Sequence, residues 1–182
     1  MNIIIKPHGS SSCYCRPDTT WERENKDFYV PENVCTMYWA PILFARISKA
    51  GKCINPKFAS RYYDAFSFGM LMYTDEKEMA FSSCADHTSL LPFPLYNNIV
   101  MEGEENEYKV FKCGEQIFNA MADRNLLEEA ICKASERTSV RIGDFVAVEL
   151  DVLRPLAGRG EGKTGIKASF CGNDLYEFHL IF

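Results

Sequence analysis

The chain has 182 residues, 47% hydrophobic and 13% aromatic, enough apolar material for a sizeable core and consistent with one domain over residues 1–182. Twenty basic residues stand against 25 acidic ones, and the net charge of -5 argues against nucleic acid or an anionic membrane as the main partner. No apolar run reaches the length of a membrane span, and Met1 to Pro7 is too short for a signal peptide, so a cytoplasmic location is expected.

In chain order, Met1 to Lys6 reads as a strand ended by Pro7-His8-Gly9 and a serine turn, and Asp18 to Pro31 as a polar loop with an extended piece at Phe28 to Val30. Tyr38 to Ser48 is a run of aromatic and branched residues expected to form a well-buried strand. Pro41 within it predicts a bulge or an edge position. Phe66 to Thr74 is a second apolar strand, Ile99 to Met101 begins a third, and the acidic run Glu102 to Glu107 is expected at a solvated hairpin tip. Helical spacing is confined to Gly114 through Ser135, with Asp123 to Asn125 as a break between two helices. Gly143-Asp144 then turns the chain into a strand over Phe145 to Leu150, and Gly165 to Phe182 closes as a hairpin around Gly172.

Between Glu32 and Asp64 there is no Asp or Glu, where an even spread of the chain's 25 acids would place about four. The stretch carries Arg46, Lys49, Lys52, Lys57 and Arg61 instead. The eight cysteines are scattered; only Cys13 and Cys15 are close, with one residue between them, which is not the usual zinc spacing. They are expected to behave as small buried hydrophobes in a reducing compartment.

The order of these landmarks resembles the fumarylacetoacetate hydrolase family. Ile3 to Pro7 followed by Ser10 to Ser12 resembles its Lys-Pro-x-Ser-Ser strand, Asp27 to Pro31 its next segment, and Tyr38 to Lys49 its central strand. Phe68 to Asp75 resembles its Gly-Tyr-Thr-x-x-Asn-Asp strand, and Thr88 with Pro92 and Pro94 its Lys-Ser-Phe-Asp-Thr loop. Ile117-Phe118 and Gly143-Asp144 are similar to the landmarks that follow. The resemblance implies an α+β fold, mostly β, with layered mixed sheets forming a β-roll of the fumarylacetoacetate hydrolase type and one short helical region. It also implies a homodimer that hydrolyses a carbon–carbon bond in a β-diketo acid or decarboxylates a keto acid. In that family magnesium or calcium, held by a Glu-x-Glu pair and an Asp, polarises the keto-enolate oxygens.

Carried over by position, the two glutamates fall on Ala40 and Ile42, and only the aspartate is kept, as Asp75. The loop lysine falls near Cys84, the helix-opening threonine on Cys113, and Glu149-Leu150-Asp151 replaces the family's Gly-Thr-Pro. The upstream Asn-Tyr-x-x-His segment that supplies a catalytic histidine has no counterpart in this sequence. One carboxylate is a poor magnesium site, so no cofactor is expected, and magnesium or calcium only if the site is partly retained. Asp75 reads as either that metal ligand or a residue capping a turn. His8, Cys84 and His87 are the candidate catalytic residues, with Asp86 placed to orient the His87 ring beside a Cys84 nucleophile. Lys6 and Thr88 are the substrate-binding candidates that the resemblance implies. Two classes follow: a fold-retaining homologue that has lost the metal-dependent chemistry and binds a small organic acid or a partner, and an active hydrolase or decarboxylase with a rearranged site.

Overall fold

The computed structural model describes residues 1–76, 79–103 and 106–182. Strands β1 (Ile3–Lys6), β2 (Tyr14–Arg16), β3 (Trp21–Glu22), β4 (Phe28–Tyr29), β5 (Thr36–Ile47) and β6 (Tyr63–Tyr73) come first. The short helix α1 (Met79–Ser82), β7 (Ser89–Leu90), β8 (Tyr96–Asn97), β9 (Glu107–Lys112) and β10 (Glu115–Met121) follow. Then come helix α2 (Arg124–Arg137), β11 (Phe145–Glu149), β12 (Arg154–Gly158), β13 (Lys163–Phe170) and β14 (Asn173–Ile181). A large mixed sheet runs β2-β1-β11-β5-β6-β7-β3, with β12 also on β5 and β8 on β6. A smaller sheet runs β10-β9-β13-β14-β4. No helix among the described residues is long and apolar enough to cross a membrane.

The large sheet is apolar on both faces, and side-chain alternation sorts its residues cleanly. Met37, Trp39, Leu43, Ala45 and Ile47 of β5, Ile4 of β1 and Val146 and Val148 of β11 enter the main core. That core also takes Tyr108, Phe170, Tyr176 and Phe178 from the smaller sheet and Leu127, Ala130, Ile131 and Ala134 from α2. The intervening residues Ala40, Ile42 and Phe44, with Ile3, Ile5, Leu71, Tyr73, Phe145 and Ala147, form a second cluster on the opposite face. Burying both faces explains why β5 and β6 read in the sequence as near-continuous apolar runs.

Several expectations are corrected. Pro41 marks neither a bulge nor an edge: its pairing with Met70 lies in an unbroken register from Tyr38 to Arg46. Its carbonyl accepts from Leu150 N at 2.9 Å, so its missing N–H points to the gap where β11 ends and β12 begins, where no ladder bond is lost. Glu115–Met121 is a strand, because Cys113 and Gly114 at φ 49 and 86 form a two-residue hairpin turn of the kind that right-twisted strands favour. The helical spacing of Ile117 and Met121 was coincidental; the helix starts only at Arg124, with Asp123 accepting from Asn125 N and Leu126 N at 2.8 and 3.2 Å. Ile99 to Met101 lies in a 3-10 turn, Asn98–Glu102, capped by Asn97. Of the acidic run, Glu104 and Glu105 lie outside the described residues. Most of the cysteines are not buried hydrophobes: Cys15, Cys35, Cys53, Cys84 and Cys113 are exposed. Of these, Cys53 and Cys113 hold positive φ, at 51 and 49, between the regular elements.

Candidate functional site

Ala40 and Ile42 occur where the resemblance places metal-binding carboxylates, and both are 0% exposed. They point into the second apolar cluster, and the register sets Ile42 opposite Glu149 across β11 and Ala40 opposite Leu71 across β6. Alternation puts Tyr73 and Glu149 on the same face. Glu149, 6% exposed, accepts from the Tyr73 hydroxyl with one oxygen and from His8 N at 3.1 Å with the other. The Tyr73 hydroxyl also meets the Tyr14 hydroxyl at 2.6 Å. Burial pushes both phenols above the usual tyrosine range.

Arg16, 2% exposed, stacks 4.3 Å from the Tyr73 ring centre. Its guanidinium donates to Met72 O at 2.9 Å, to Thr88 O and Oγ1 at 3.2 and 3.1 Å, and to Ser89 Oγ at 3.2 Å. Arg16 therefore fastens the segment leading into β7 onto the end of β6. Its partners are neutral carbonyls and hydroxyls, so it organises the loop that carries Cys84 to Thr88.

The sequence candidates are dispersed. Asp75 is exposed and its Oδ2 accepts from Cys35 N at 2.9 Å and Thr36 N at 3.0 Å, so one oxygen caps the start of β5. Lys6 is buried on the face opposite Ala40, with Nζ 3.5 Å from Glu129 of α2. His8 is exposed, and it is its backbone N–H that reaches Glu149. Thr88 is buried beneath Arg16 and donates to Ala85 O. Among the described residues no group of three or more His, Cys, Asp and Glu side chains is placed to hold a metal ion. Two aliphatic side chains and a carboxylate already serving two amides do not fit the family's divalent ion.

Cys84 and His87 line different hollows. Cys84 opens into one of about 360 Å³ with Thr74, Glu76 and Phe81, beside Asp75. His87 lines one of about 550 Å³, walled by Phe28, Tyr29, Leu90 and Phe178, with Glu22, Asp27 and Lys26 among its charged lining. Ala85 and Asp86 border both. The His87 ring is held by Glu22, with Nδ1 3.0 Å from Oε2, in place of the expected Asp86. Glu22 is 8% exposed, and its Oε1 accepts Glu24 N at 2.7 Å. His87 itself has φ 59, a left-handed conformation uncommon outside glycine. Nearby, Asp27 binds His179 Nδ1 at 3.0 Å, and that hydrogen bond lowers the Asp27 pKa. Lys26 Nζ lies 2.5 Å from Glu24.

The sequence analysis did not single out Tyr14, Arg16, Glu22 or Tyr73 as site residues. For Tyr73 a signal existed: it shares alternation with Leu71 on the face of Ala40 and Ile42. Arg16 and Glu22 lie in short strands without a periodic pattern, and their partners are 56 to 73 residues away in Arg16's case.

No family model and no curated protein matches the sequence. The fold, however, matches solved structures over the whole chain. A Yersinia pestis protein assigned to the fumarylacetoacetate hydrolase family superposes with a TM-score of 0.81 at 11% identity, covering 99% of this chain and 92% of that one. Fumarylpyruvate hydrolase from Pseudomonas aeruginosa, in complex with Mn2+ and pyruvate, gives 0.80 at 12% identity, covering 100% and 90%. The 5-carboxymethyl-2-hydroxymuconate delta-isomerase of Mycobacterium smegmatis gives 0.79 at 10% identity, covering 99% and 78%. The chain therefore has the fumarylacetoacetate hydrolase-type fold.

Proposed function

We propose that this chain keeps the fumarylacetoacetate hydrolase-type fold without the family's metal-dependent carbon–carbon hydrolase chemistry, and works by binding a small organic acid or a partner. The observation that supports this is the packing of Ala40 and Ile42, both 0% exposed, into an apolar cluster whose polar groups bond to one another. A carbanion leaving group needs a Lewis acid or an equivalent positive group to hold its enolate oxygen. The Tyr14–Tyr73–Glu149 chain instead holds a buried carboxylate. A homodimer in the cytoplasm is part of the same proposal and follows the resemblance alone.

An altered-site hydrolase or decarboxylase is the second reading. It is favoured by the Glu22–His87 pair, a buried carboxylate orienting an imidazole at a cavity, which is a general acid–base arrangement. Thermal melting with millimolar Mg2+, Mn2+ and Ca2+ tests the first reading. A ligand that binds only the native state raises its melting temperature by mass action. No saturable rise is expected; a saturable rise that Asp75→Ala abolishes would overturn the proposal.

A further inference from the structure

Among the described residues the Glu22–His87 pair differs from the Asp27–His179 pair in one respect: its carboxylate is buried, whereas the Asp27 and His179 side chains are both partly exposed. Glu22 Oε1 is committed to the Glu24 amide at 2.7 Å, and Oε2 faces His87 Nδ1 at 3.0 Å. A carboxylate there requires the proton on Nδ1. In the neutral ring Nε2 is then the acceptor, on a residue that lines the 550 Å³ hollow. The His87 backbone is held at φ 59, with its N–H on Thr19 O at 3.2 Å and the next residue clamped by Arg16. Strain of this kind persists where surrounding structure fixes it, and it accompanies ligand sites.

The lining selects among ligands. Phe28, Leu90 and Phe178 suit a small hydrocarbon or ring. Glu22, Asp27 and Asp86 repel a carboxylate or phosphate, and the one lysine of the lining, Lys26, is paired with Glu24 at 2.5 Å. An ammonium ion finds Glu22 and Asp27 already bonded to His87 and His179, and would have to give up its hydration against these apolar walls. A neutral hydroxyl acid meets every condition, because its O–H supplies the donor that Nε2 needs. We propose that this hollow binds a small uncharged phenol or enol, its hydrocarbon against Phe28, Leu90 and Phe178 and its hydroxyl donated to Nε2 of His87. The order hydroxyl, imidazole, carboxylate is the one that polarises a hydroxyl in serine hydrolases. The inference deepens the ligand-binding reading by naming the acid. Its failure leaves the metal titration standing, and a metal-dependent rise in stability would leave this site standing.

The test is an NMR titration that follows the ligand's own signals in every variant and, where His87 is present, the imidazole signals of the chain's three histidines. Its probes are 4-methylphenol and its isomer methoxybenzene, which has the same atoms and no donor, with benzoate and benzylammonium for charge. 4-Methylphenol should shift the His87 resonance saturably and bind about tenfold tighter than methoxybenzene, the size expected for one well-made hydrogen bond. Benzoate and benzylammonium should bind more weakly. Glu22→Gln should erase the preference: its amide oxygen stays on the Glu24 N–H, its NH2 donates to Nδ1, and the proton moves to Nε2. His87→Asn suits the left-handed backbone and should erase the preference too, with circular dichroism unchanged in both variants. Equal binding of the two isomers, tighter binding of either ion, no saturable binding of 4-methylphenol, or a preference surviving both substitutions would overturn the proposal.

Discussion

The face around Ala40 and Ile42 belongs to the large sheet, and the hollow beside His87 is walled by both sheets, with Met72 and Leu90 from the large one and Phe28, Tyr29 and Phe178 from the smaller; their polar groups are used in opposite ways. On the first, Tyr14, Tyr73, Glu149 and the His8 amide bond to one another over an apolar floor. On the second, a buried carboxylate turns an exposed ring so that one nitrogen remains to bond something else. A fully satisfied buried network contributes rigidity and a single packing arrangement. A half-satisfied pair at a cavity is where a ligand can still gain a bond. The difference teaches that one fold can close its polar groups into a core on one face and leave a bonding position open at another.

The largest effect that would break this contrast is a charge on the first face. Ala40→Glu should cost about 4 kcal/mol in urea denaturation, because it buries a carboxylate with no counter-charge. A cost under 1 kcal/mol would show that this face still accepts the acid. Tyr73→Phe should cost about 2 kcal/mol, since it leaves Oε1 of the buried Glu149 and the Tyr14 hydroxyl each without a partner, while Oε2 keeps the His8 amide. The same network makes alkaline unfolding informative. Burial raises the folded pKa of Tyr14 and Tyr73 above the unfolded value near 10, so their contribution is present below about pH 10 and lost as pH rises beyond it. Phenolate absorbance from these two should therefore appear together with loss of circular dichroism, and titration of either in the intact fold would contradict their burial.

Asp75→Ala should cost about 1 kcal/mol by freeing the Cys35 and Thr36 amides, equally with and without divalent ions. The smallest change belongs to the hollow. Glu22→Gln and His87→Asn should each move stability by no more than about 0.5 kcal/mol while altering ligand preference, which would sharpen the division between a structural and a binding region.

The long strands were legible because β5 and β6 are buried on both faces and so carry unbroken apolar runs. The β9–β10 hairpin was not, since its turn uses Cys113-Gly114 where Asn-Gly is the common signal, and Ile117 to Ala122 then imitated helical spacing. Pro41 misled because its tolerance depends on a gap between two other strands, a fact of tertiary structure. At the site, His87 was legible as a histidine in the loop before β7, and its partner was not. Asp86 is adjacent in sequence, but the ring meets Glu22 because β3 pairs with β7 and sets Glu22 against Leu90. Arg16 gave no signal at all, having found its carbonyl and hydroxyl partners only through the large sheet's assembly.

The central claim is that the face carrying Ala40 and Ile42 no longer binds a divalent ion. Electron paramagnetic resonance of Mn2+ titrated into the native protein tests it most directly, because bound and free Mn2+ give distinct signals. The account predicts that the free-ion signal grows in proportion to added Mn2+, with no saturable site at micromolar to millimolar concentration. One bound Mn2+ per chain, displaced by Mg2+ and lost in Asp75→Ala, would contradict it.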